Sequence, residues 1–178
     1  MLKHAVSEEQ LRQIRTLYEA SFPQSEKKPF EMMLEKKELF ELLSIEDEEG
    51  HFRGLAIMII SGDLVLLDYF AVEPACQGAG LGSIVLRELQ ERYGRERIVV
   101  EIERTAGAEA EAAENYRDRL RRKAFYLKNG MKETGLQVKL LGVEMEVLTF
   151  GRKLTFREYA SIYEKVFSGG LKNKIELL

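Results

Sequence analysis

Six residues with three glycines, Gln77-Gly78-Ala79-Gly80-Leu81-Gly82, constrain this chain more than any other stretch. An apolar run, Leu64–Val72, is predicted as a strand before them, and a helix is predicted over residues 83–93 after them. Glycines let the backbone approach a ligand closely and adopt dihedral angles closed to other residues. The helix would point its first N–H groups and its positive dipole end at the loop. The sequence therefore predicts a binding site for an anion, most naturally a phosphate.

Size and composition favour one soluble domain. The 178 residues suit a single domain over residues 1–178, with a core at about 2–150 and a C-terminal helix and tail at 155–178. A net charge of −3 gives no reason to expect nucleic acid as a partner. The only cysteine, Cys76, cannot form an internal disulfide, and no apolar run is long enough for a membrane span. We therefore expect a cytoplasmic protein with no membrane partner.

Hydrophobic periodicity and turn signals predict the order of secondary structure. Ser7 and Thr155 are expected to cap the first and last helices, and Pro29 suits the first turn of the second helix. The three helices between the first and the last are predicted over residues 30–37, 83–93 and 116–128. The predicted strands cover residues 39–46, 52–61, 64–72, 97–103, 136–141, 144–150 and 175–178. The third and fourth strands should be parallel neighbours because a helix connects them, and residues 105–113 should form a loop or a weak helical lead-in.

Several interpretations of the glycine loop compete. A Walker-type phosphate loop needs Lys-Ser or Lys-Thr directly after its last glycine, whereas Gly82 is followed by Ser83. A dinucleotide-binding turn needs Gly-x-Gly-x-x-Gly and a later acidic residue. Glu101 and Glu103 lie near that acidic position, but the glycine spacing here is Gly-x-Gly-x-Gly. The simplest interpretation is that the glycines only shape a tight connection.

A longer segment around the loop resembles the acetyl-CoA-binding segment of the GNAT family of N-acetyltransferases. The family pattern Arg/Gln-x-x-Gly-x-Gly/Ala is matched by Gln77, Gly80 and Gly82, and the strand before it ends in Ala-Val-Glu-Pro. A second segment, Phe125-Tyr126-Leu127-Lys128-Asn129-Gly130-Met131, is similar to the family's Phe-Tyr-x-x-x-Gly-Phe element. The two segments lie in the family's order with one strand between them, and the order of elements covers most of the chain.

The resemblance implies an α/β fold of the acyl-CoA N-acyltransferase type. Such a fold has a central, mostly antiparallel sheet with one parallel, splayed strand pair and helices on both faces. Backbone groups at the splay would bind the pantetheine arm of acetyl-CoA, and N–H groups of the loop would hold its pyrophosphate. The implied cofactor-binding residues are Phe70, Ala71, Val72, Gln77, Gly78, Ala79, Gly80, Leu81, Gly82 and Ser83.

The resemblance also implies an activity, the direct transfer of an acetyl group from acetyl-CoA to a primary amine. Tyr126 takes the place of the family's tyrosine. A phenol with an ordinary pKa of about 10 keeps its proton at neutral pH and can donate it to the departing thiolate. Many family members have an asparagine seven residues before this tyrosine, whereas this chain has Arg119.

The sequence leaves the base open. Glu103, at the end of its strand, is the first candidate for a base or an amine-binding group, and Glu101 shares its strand face by alternation. Asp68 is the second candidate. If Asp68 is structural instead, Arg121 or Arg122 is its expected partner. Deprotonation of the amine through water is the third route.

Two rival functions and several properties stay open at this level. A non-catalytic CoA-binding sensor or interaction module would share the glycine loop, and a dinucleotide-binding protein would bind NAD instead. His4 and His51 lack metal-ligand spacing, so no metal site is predicted. The apolar positions from Phe156 to Phe167 favour core packing and leave a homodimer contact open. The sequence does not determine the acceptor, which is a small-molecule or peptide amine, or the length of the acyl group.

Overall fold

The computed structural model describes residues 1–24, 26–167, 170–171 and 174–178. The chain divides into two compact units, Met1–Gly94 and Arg95–Leu178. Each unit has its own antiparallel strands and its own helices. The single domain over residues 1–178 stays a prediction, and residues 168, 169, 172 and 173 of the expected C-terminal tail lie outside the described residues.

The described residues of the first unit form four strands in chain order, each antiparallel to the one before. The strands are β1 (Leu2–His4), β2 (Phe40–Glu46), β3 (Phe52–Ser61) and β4 (Leu64–Val72), and the helices are α1 (Glu8–Ser21), α2 (Phe30–Glu35) and α3 (Leu81–Tyr93). Helix α1 packs on β3 and β4, and helix α3 packs on β4.

Helix α1 begins where the sequence predicts. The Ser7 side chain accepts a hydrogen bond from the Gln10 N–H, and the Gln10 side chain accepts one from the Ser7 N–H, which completes a capping box. Ile14 and Tyr18 are fully buried on the inner side of the helix. The helix ends at Ser21, before the extended Phe22 and Pro23, because proline cannot continue it.

Strand β4 contains a bulge at Asp68. Tyr69 lies opposite Ile57 and Leu67 lies opposite Met58, so Asp68 is the extra residue on β4. The bulge interrupts the two-residue alternation of side chains at this point.

Gly54 on β3 is fitted closely against the end of β4. It lies opposite Val72. A Cβ at this position would stand 2.4 Å from the Ala71 carbonyl oxygen and 3.1 Å from the Ile45 Cδ1. The close approach of the two strands therefore requires glycine here.

The described residues of the second unit form four strands and three helices. The strands are β5 (Ile98–Glu103), β6 (Lys132–Leu140), β7 (Val143–Thr149) and β8 (Ile175–Leu177), and the helices are α4 (Ala108–Glu111), α5 (Tyr116–Lys128) and α6 (Phe156–Glu164). The strand order is β5-β7-β6-β8, and all three pairs are antiparallel. Helix α5 packs on β5, and α6 buries Tyr159, Ile162 and Tyr163.

Most predicted bounds are confirmed within two residues, and β3, β4 and α5 match to the residue. Three elements differ: β6 begins at Lys132 and not at residue 136, α6 ends at Glu164, before the predicted inward residues Val166 and Phe167, and β1 was not predicted. In β6 the register shifts between Glu133 and Gln137, and Thr134 Oγ1 donates to the Val147 carbonyl, so the expected alternation is broken there. Residues 105–113, predicted as a loop or a weak helical lead-in, contain the one-turn helix α4. Within the described ranges, every helix is too short or too polar to cross a lipid bilayer.

Candidate active site

The predicted site residues fall in both units, the glycine loop in the first and the end of β5 in the second. The glycine loop begins after a 3₁₀ turn at Pro74–Cys76. Gly78 and Gly80 have φ angles of 83° and 84°, in the left-handed region that favours glycine. Gly80 caps α3, which begins at Leu81, two residues earlier than predicted. The two glycines therefore allow the turn that leads the loop into α3.

Five consecutive N–H groups of the loop have no hydrogen-bond partner among the described residues, those of residues 78–82. The two end residues of the predicted loop site are already paired, because the Gln77 N–H donates to the Pro74 carbonyl and the Ser83 N–H donates to the Gly80 carbonyl. The Gln77 side chain donates to the Val72 carbonyl at 3.1 Å, so it braces the loop on β4. The donors available to an anion are therefore the N–H groups between these two residues.

The last residues of β4 hold a regular register with β3. Phe70 lies opposite Ala56, and Ala71 lies opposite Leu55. Phe70, Ala71 and Val72 are each half-buried. Their binding of a pantetheine arm stays a prediction.

Glu103, the first candidate for the base, is held by charged groups in the second unit. Its side chain is 4% exposed. Oε1 accepts from Arg119 Nη2 at 2.8 Å and from Asn115 Nδ2 at 2.9 Å, and Oε2 accepts from Arg122 Nη1 at 3.0 Å. Both carboxylate oxygens therefore have cationic partners, which fasten α5 to the end of β5.

Arg119 occupies the position where many family members have asparagine, and its contacts explain what it does here. Besides Glu103, its guanidinium donates to Asn115 Oδ1 at 2.7 Å and to the Arg104 carbonyl at 3.3 Å. Glu101 is bound elsewhere, since it accepts from the hydroxyls of Tyr159 and Tyr163 on α6. Glu101 and Glu103, which share a strand face by alternation, therefore have separate sets of partners.

Tyr126 lies near the end of α5 and is 6% exposed. Its ring contacts Phe125 edge-on, with 5.1 Å between centroids. Across the described parts of the chain, its hydroxyl has no hydrogen-bond partner. Burial raises the pKa of Tyr126 to about 12, against the opposing effect of Arg122. The phenol therefore keeps its proton at neutral pH and has that proton available for donation.

Asp68 is paired in a way that the sequence did not predict. Lys28 Nζ lies 2.7 Å from Asp68 Oδ1, and the two side chains are 9% and 2% exposed. The expected partners, Arg121 and Arg122, are wrong, since Arg121 pairs with Asp118 and Arg122 with Glu103. Burial raises the pKa of Asp68, and Lys28 opposes that shift. Forty positions separate Lys28 from Asp68, so no local pattern could have indicated the pair.

A group of potential metal ligands lies at the turn between β2 and β3, with Glu49 and His51 exposed and Asp47 half-buried. Desolvation opposes the shift, but the His51 backbone N–H and Arg53 lower the pKa of Asp47 to about 2. Arg53 Nη2 lies 2.6 Å from Asp47 Oδ2. These contacts of Asp47 stabilise the turn and explain why the three side chains lie together.

The fold and the loop of unpaired N–H groups at a helix start define an α/β protein with a candidate anion site. The sequence profile of the Acetyltransferase (GNAT) family matches residues 9–130, and the chain belongs to this family. The membership confirms both the resemblance and the predicted fold class. No curated protein sequence matches the chain significantly.

Solved structures similar to this chain support the same fold. A protein of Bacteroides thetaiotaomicron, described as an acetyltransferase of the GNAT family, has a TM-score of 0.69 and 20% identity over 93% of this chain and 95% of that chain. The spermidine N-acetyltransferase of Vibrio cholerae, solved with CoA and spermine, has a TM-score of 0.59 and 13% identity over 83% and 92%. The ribosomal-protein-S18-alanine N-acetyltransferase of Escherichia coli has a TM-score of 0.60 and 16% identity over 88% and 99%.

Proposed function

We propose that this protein transfers an acetyl group from acetyl-CoA to a primary amine. The observation that carries the proposal is the row of five N–H groups at residues 78–82 with no partner among the described residues. Backbone donors are rarely left unpaired unless water or a ligand takes them. Their place at the start of α3 suits a pyrophosphate, because the helix dipole adds positive charge there.

The pantetheine arm would extend from the loop along the end of β4. Val72, Ala71 and Phe70 are proposed to bond it through their backbone groups, as a neighbouring strand would. Gln77 supports this arrangement by tying the loop to the Val72 carbonyl. Gly54 supports it by keeping β3 close beneath the same residues.

Tyr126 is proposed to protonate the departing thiolate. In the reaction, the amine nitrogen attacks the thioester carbonyl, a C–N bond forms and the C–S bond breaks. The thiolate takes the Tyr126 proton, and the phenolate recovers a proton from the acylated amine through solvent. Two properties support this role, the raised pKa of the buried phenol and the absence of a described hydrogen-bond partner for its hydroxyl.

Three routes remain proposed for removing the proton from the amine. Glu103 acts as the base or the amine-binding group, Asp68 acts as the base, or water removes the proton. The contacts favour water. Glu103 is occupied by two guanidinium groups and Asp68 by Lys28, so neither carboxylate is free of a cation.

The acceptor is proposed only as a primary amine. The similar structures carry the names of a spermidine acetyltransferase and of an alanine acetyltransferase for a ribosomal protein, which support both small-molecule and peptide amines. A cytoplasmic location agrees with acetyl-CoA as the donor and with the unpaired thiol of Cys76.

The proposal is tested by thiol release from acetyl-CoA against a panel of polyamines, aminoglycosides, amino acids and peptides. We expect turnover on at least one amine and a loss of about 10²-fold in kcat for Tyr126→Phe, with unchanged affinity for CoA. Tight CoA binding without turnover on any amine would favour the non-catalytic CoA-binding module. Binding of NAD without any response to CoA would favour a dinucleotide-binding protein.

A further inference from the structure

Helix α5 carries the proposed acid, Tyr126, and its inner face is fixed to the strands of the second unit by charged side chains. Arg119, Lys123 and Tyr126 follow one another on that face in successive turns of the helix. Arg119 is bound to Glu103 at the end of β5, and Lys123 is bound to Glu146 on β7. The two turns before Tyr126 therefore each contain an ion pair to a strand.

The ammonium group of Lys123 has an acceptor for every N–H that it can donate. Its Nζ lies 2.7 Å from Glu146 Oε2, 3.0 Å from Glu133 Oε2 and 3.2 Å from Thr105 Oγ1. A lysine has three donors, so this set saturates it. The acceptors lie on β7, on β6 and directly after β5, and the Lys123 side chain is 16% exposed. Lys123 therefore ties α5 to three parts of the second unit at once.

Glu146 completes the same network from the strand side. It is 6% exposed and lies opposite Ile102 on β5 and Gln137 on β6, so β7 holds it between two neighbouring strands. Its Oε1 accepts from the N–H and the hydroxyl of Thr105, and its Oε2 accepts from Lys123. A buried polar network whose members are paired holds its elements in one arrangement. The network therefore fixes the rotation of α5 at Lys123.

Tyr126, one turn further along, depends on this network for its own orientation. Its ring is 6% exposed, and across the described parts of the chain its hydroxyl has no hydrogen-bond partner. The helix ends at Lys128, two residues after it. The direction of the phenol O–H is therefore set by where α5 is held, and not by a bond to the hydroxyl itself.

We propose that Lys123, Glu146 and Thr105 are positioning residues that fix α5 and thereby orient the Tyr126 hydroxyl towards the departing thiolate. The inference rests on the proposed function for the role of Tyr126. It goes beyond that function by naming the residues that orient the acid, and none of the three needs to touch the reacting atoms. An acid needs such support because a displacement of about 1 Å in a reacting group can lower the rate about 10²-fold.

The kinetic test uses Lys123→Met, which removes the ammonium group and keeps most of the aliphatic stem. We expect kcat to fall about tenfold, and the KM values for acetyl-CoA and for the amine to stay within about twofold, because only proton donation is impaired. Lys128→Met is the matched control, since Lys128 is an exposed lysine of the same helix and should change none of the constants. An unchanged kcat in Lys123→Met would overturn the proposal.

A double variant separates orientation of the acid from a general loss of structure. Tyr126→Phe has no phenol proton to donate, so adding Lys123→Met to it should change kcat by less than about twofold. A general loss of structure would lower kcat equally in both backgrounds. A further tenfold fall in the Tyr126→Phe background would show that Lys123 does not act through Tyr126, and the proposal would be wrong.

Glu146→Gln tests the network from the strand side with a smaller change of shape. One carboxylate oxygen becomes an N–H₂ donor, so the contacts with either Lys123 or Thr105 are lost. We expect kcat to fall about threefold with unchanged KM values, and to change little when Tyr126→Phe is also present. Full retention of kcat would exclude Glu146 from the positioning residues and contradict the network.

A measurement without turnover separates this inference from the proposed function. With ¹³C-labelled tyrosine rings, the Tyr126 signal is identified by its loss in Tyr126→Phe, and the edge-on ring of Phe125 makes its chemical shift sensitive to orientation. The signal should move in Lys123→Met and stay in place in Lys128→Met. An unmoved signal in Lys123→Met would overturn the positioning even in an active enzyme. A moved signal in a protein that acetylates no amine would support the positioning and contradict only the proposed function.

Discussion

The glycine loop and the end of β5 are both rich in polar groups, but the polar groups are unpaired in the loop and paired at the end of β5. In the loop, five N–H groups have no partner among the described residues. At the end of β5, each oxygen of Glu103 is bound by an arginine, and Glu146 is bound by Lys123 and Thr105. Unpaired donors on an exposed loop are open to water or to a ligand, whereas the buried and paired carboxylates form a structural joint that fastens α5 to β5 and β7.

The largest expected effect is on the joint. Glu103→Gln would leave Arg119 and Arg122 without their anion, and breaking a buried pair on one side should cost about 3 kcal/mol of the free energy of unfolding. For a chain of this size the melting temperature should fall by about 9 °C. Differential scanning calorimetry measures it, and Glu109→Gln, at an exposed glutamate, is the control.

This variant also decides how far the comparison holds. If Glu103→Gln keeps its melting temperature but loses turnover, Glu103 belongs to the amine chemistry and not to the joint. Parallel effects on the Arg119→Met variant would instead support the joint, because both residues then act through one interaction.

The next effect concerns the strand that carries the loop. Gly54→Ala would push a Cβ into the Ala71 carbonyl, and the required backbone shift should cost about 2 kcal/mol. Chemical denaturation at neutral pH measures the loss. Gly62→Ala is the comparison, since a Cβ there meets no atom within 4 Å and tests only the positive φ of 57°. Equal losses in the two variants would show that the close approach at Gly54 is easily relieved.

The third effect is on the loop itself. Ala79→Glu adds a negative charge beside the unpaired N–H groups and should weaken CoA binding about tenfold through repulsion of the pyrophosphate. Ala79→Gln has nearly the same shape without the charge and should change the affinity much less. Isothermal titration calorimetry at low salt gives both values. Equal weakening by the two variants would mean that bulk, and not charge, matters at this position.

The smallest effect is a pH dependence in the joint. Desolvation opposes the shift, but Lys123 and Thr105 lower the pKa of Glu146. A carboxyl group with a lowered pKa in the folded state contributes stability above its unfolded pKa of about 4.3 and loses it as the pH falls through the folded value. The stability difference between the natural protein and Glu146→Gln should therefore shrink from pH 7 to pH 3 in urea unfolding. A constant difference over that range would contradict the linkage.

Local signals in the sequence predicted most of the fold. Ser7 and Thr155 form capping boxes with Gln10 and Glu158, as their spacing indicates. The hairpin about Gly142 has positive φ angles at Leu141 and Gly142, which a tight turn needs. These features lie within a few residues of one another, so the chain itself encodes them. Strand β6 was underestimated because a register shift removed the local alternation.

The candidate site also combines local features, which the sequence predicts, with contacts between residues that are distant in sequence. The sequence determined the glycine loop, the start of the following helix and the family, because turn chemistry, helix capping and motif spacing are local properties. Only the tertiary structure decided which polar side chains are already bound to other groups of the protein. Lys28 meets Asp68 and Arg122 meets Glu103 across 40 and 19 positions, and such partners are brought together by packing and not by spacing along the chain. For the same physical reason, the sequence could name carboxylates as candidates but could not tell which of them already hold a cation.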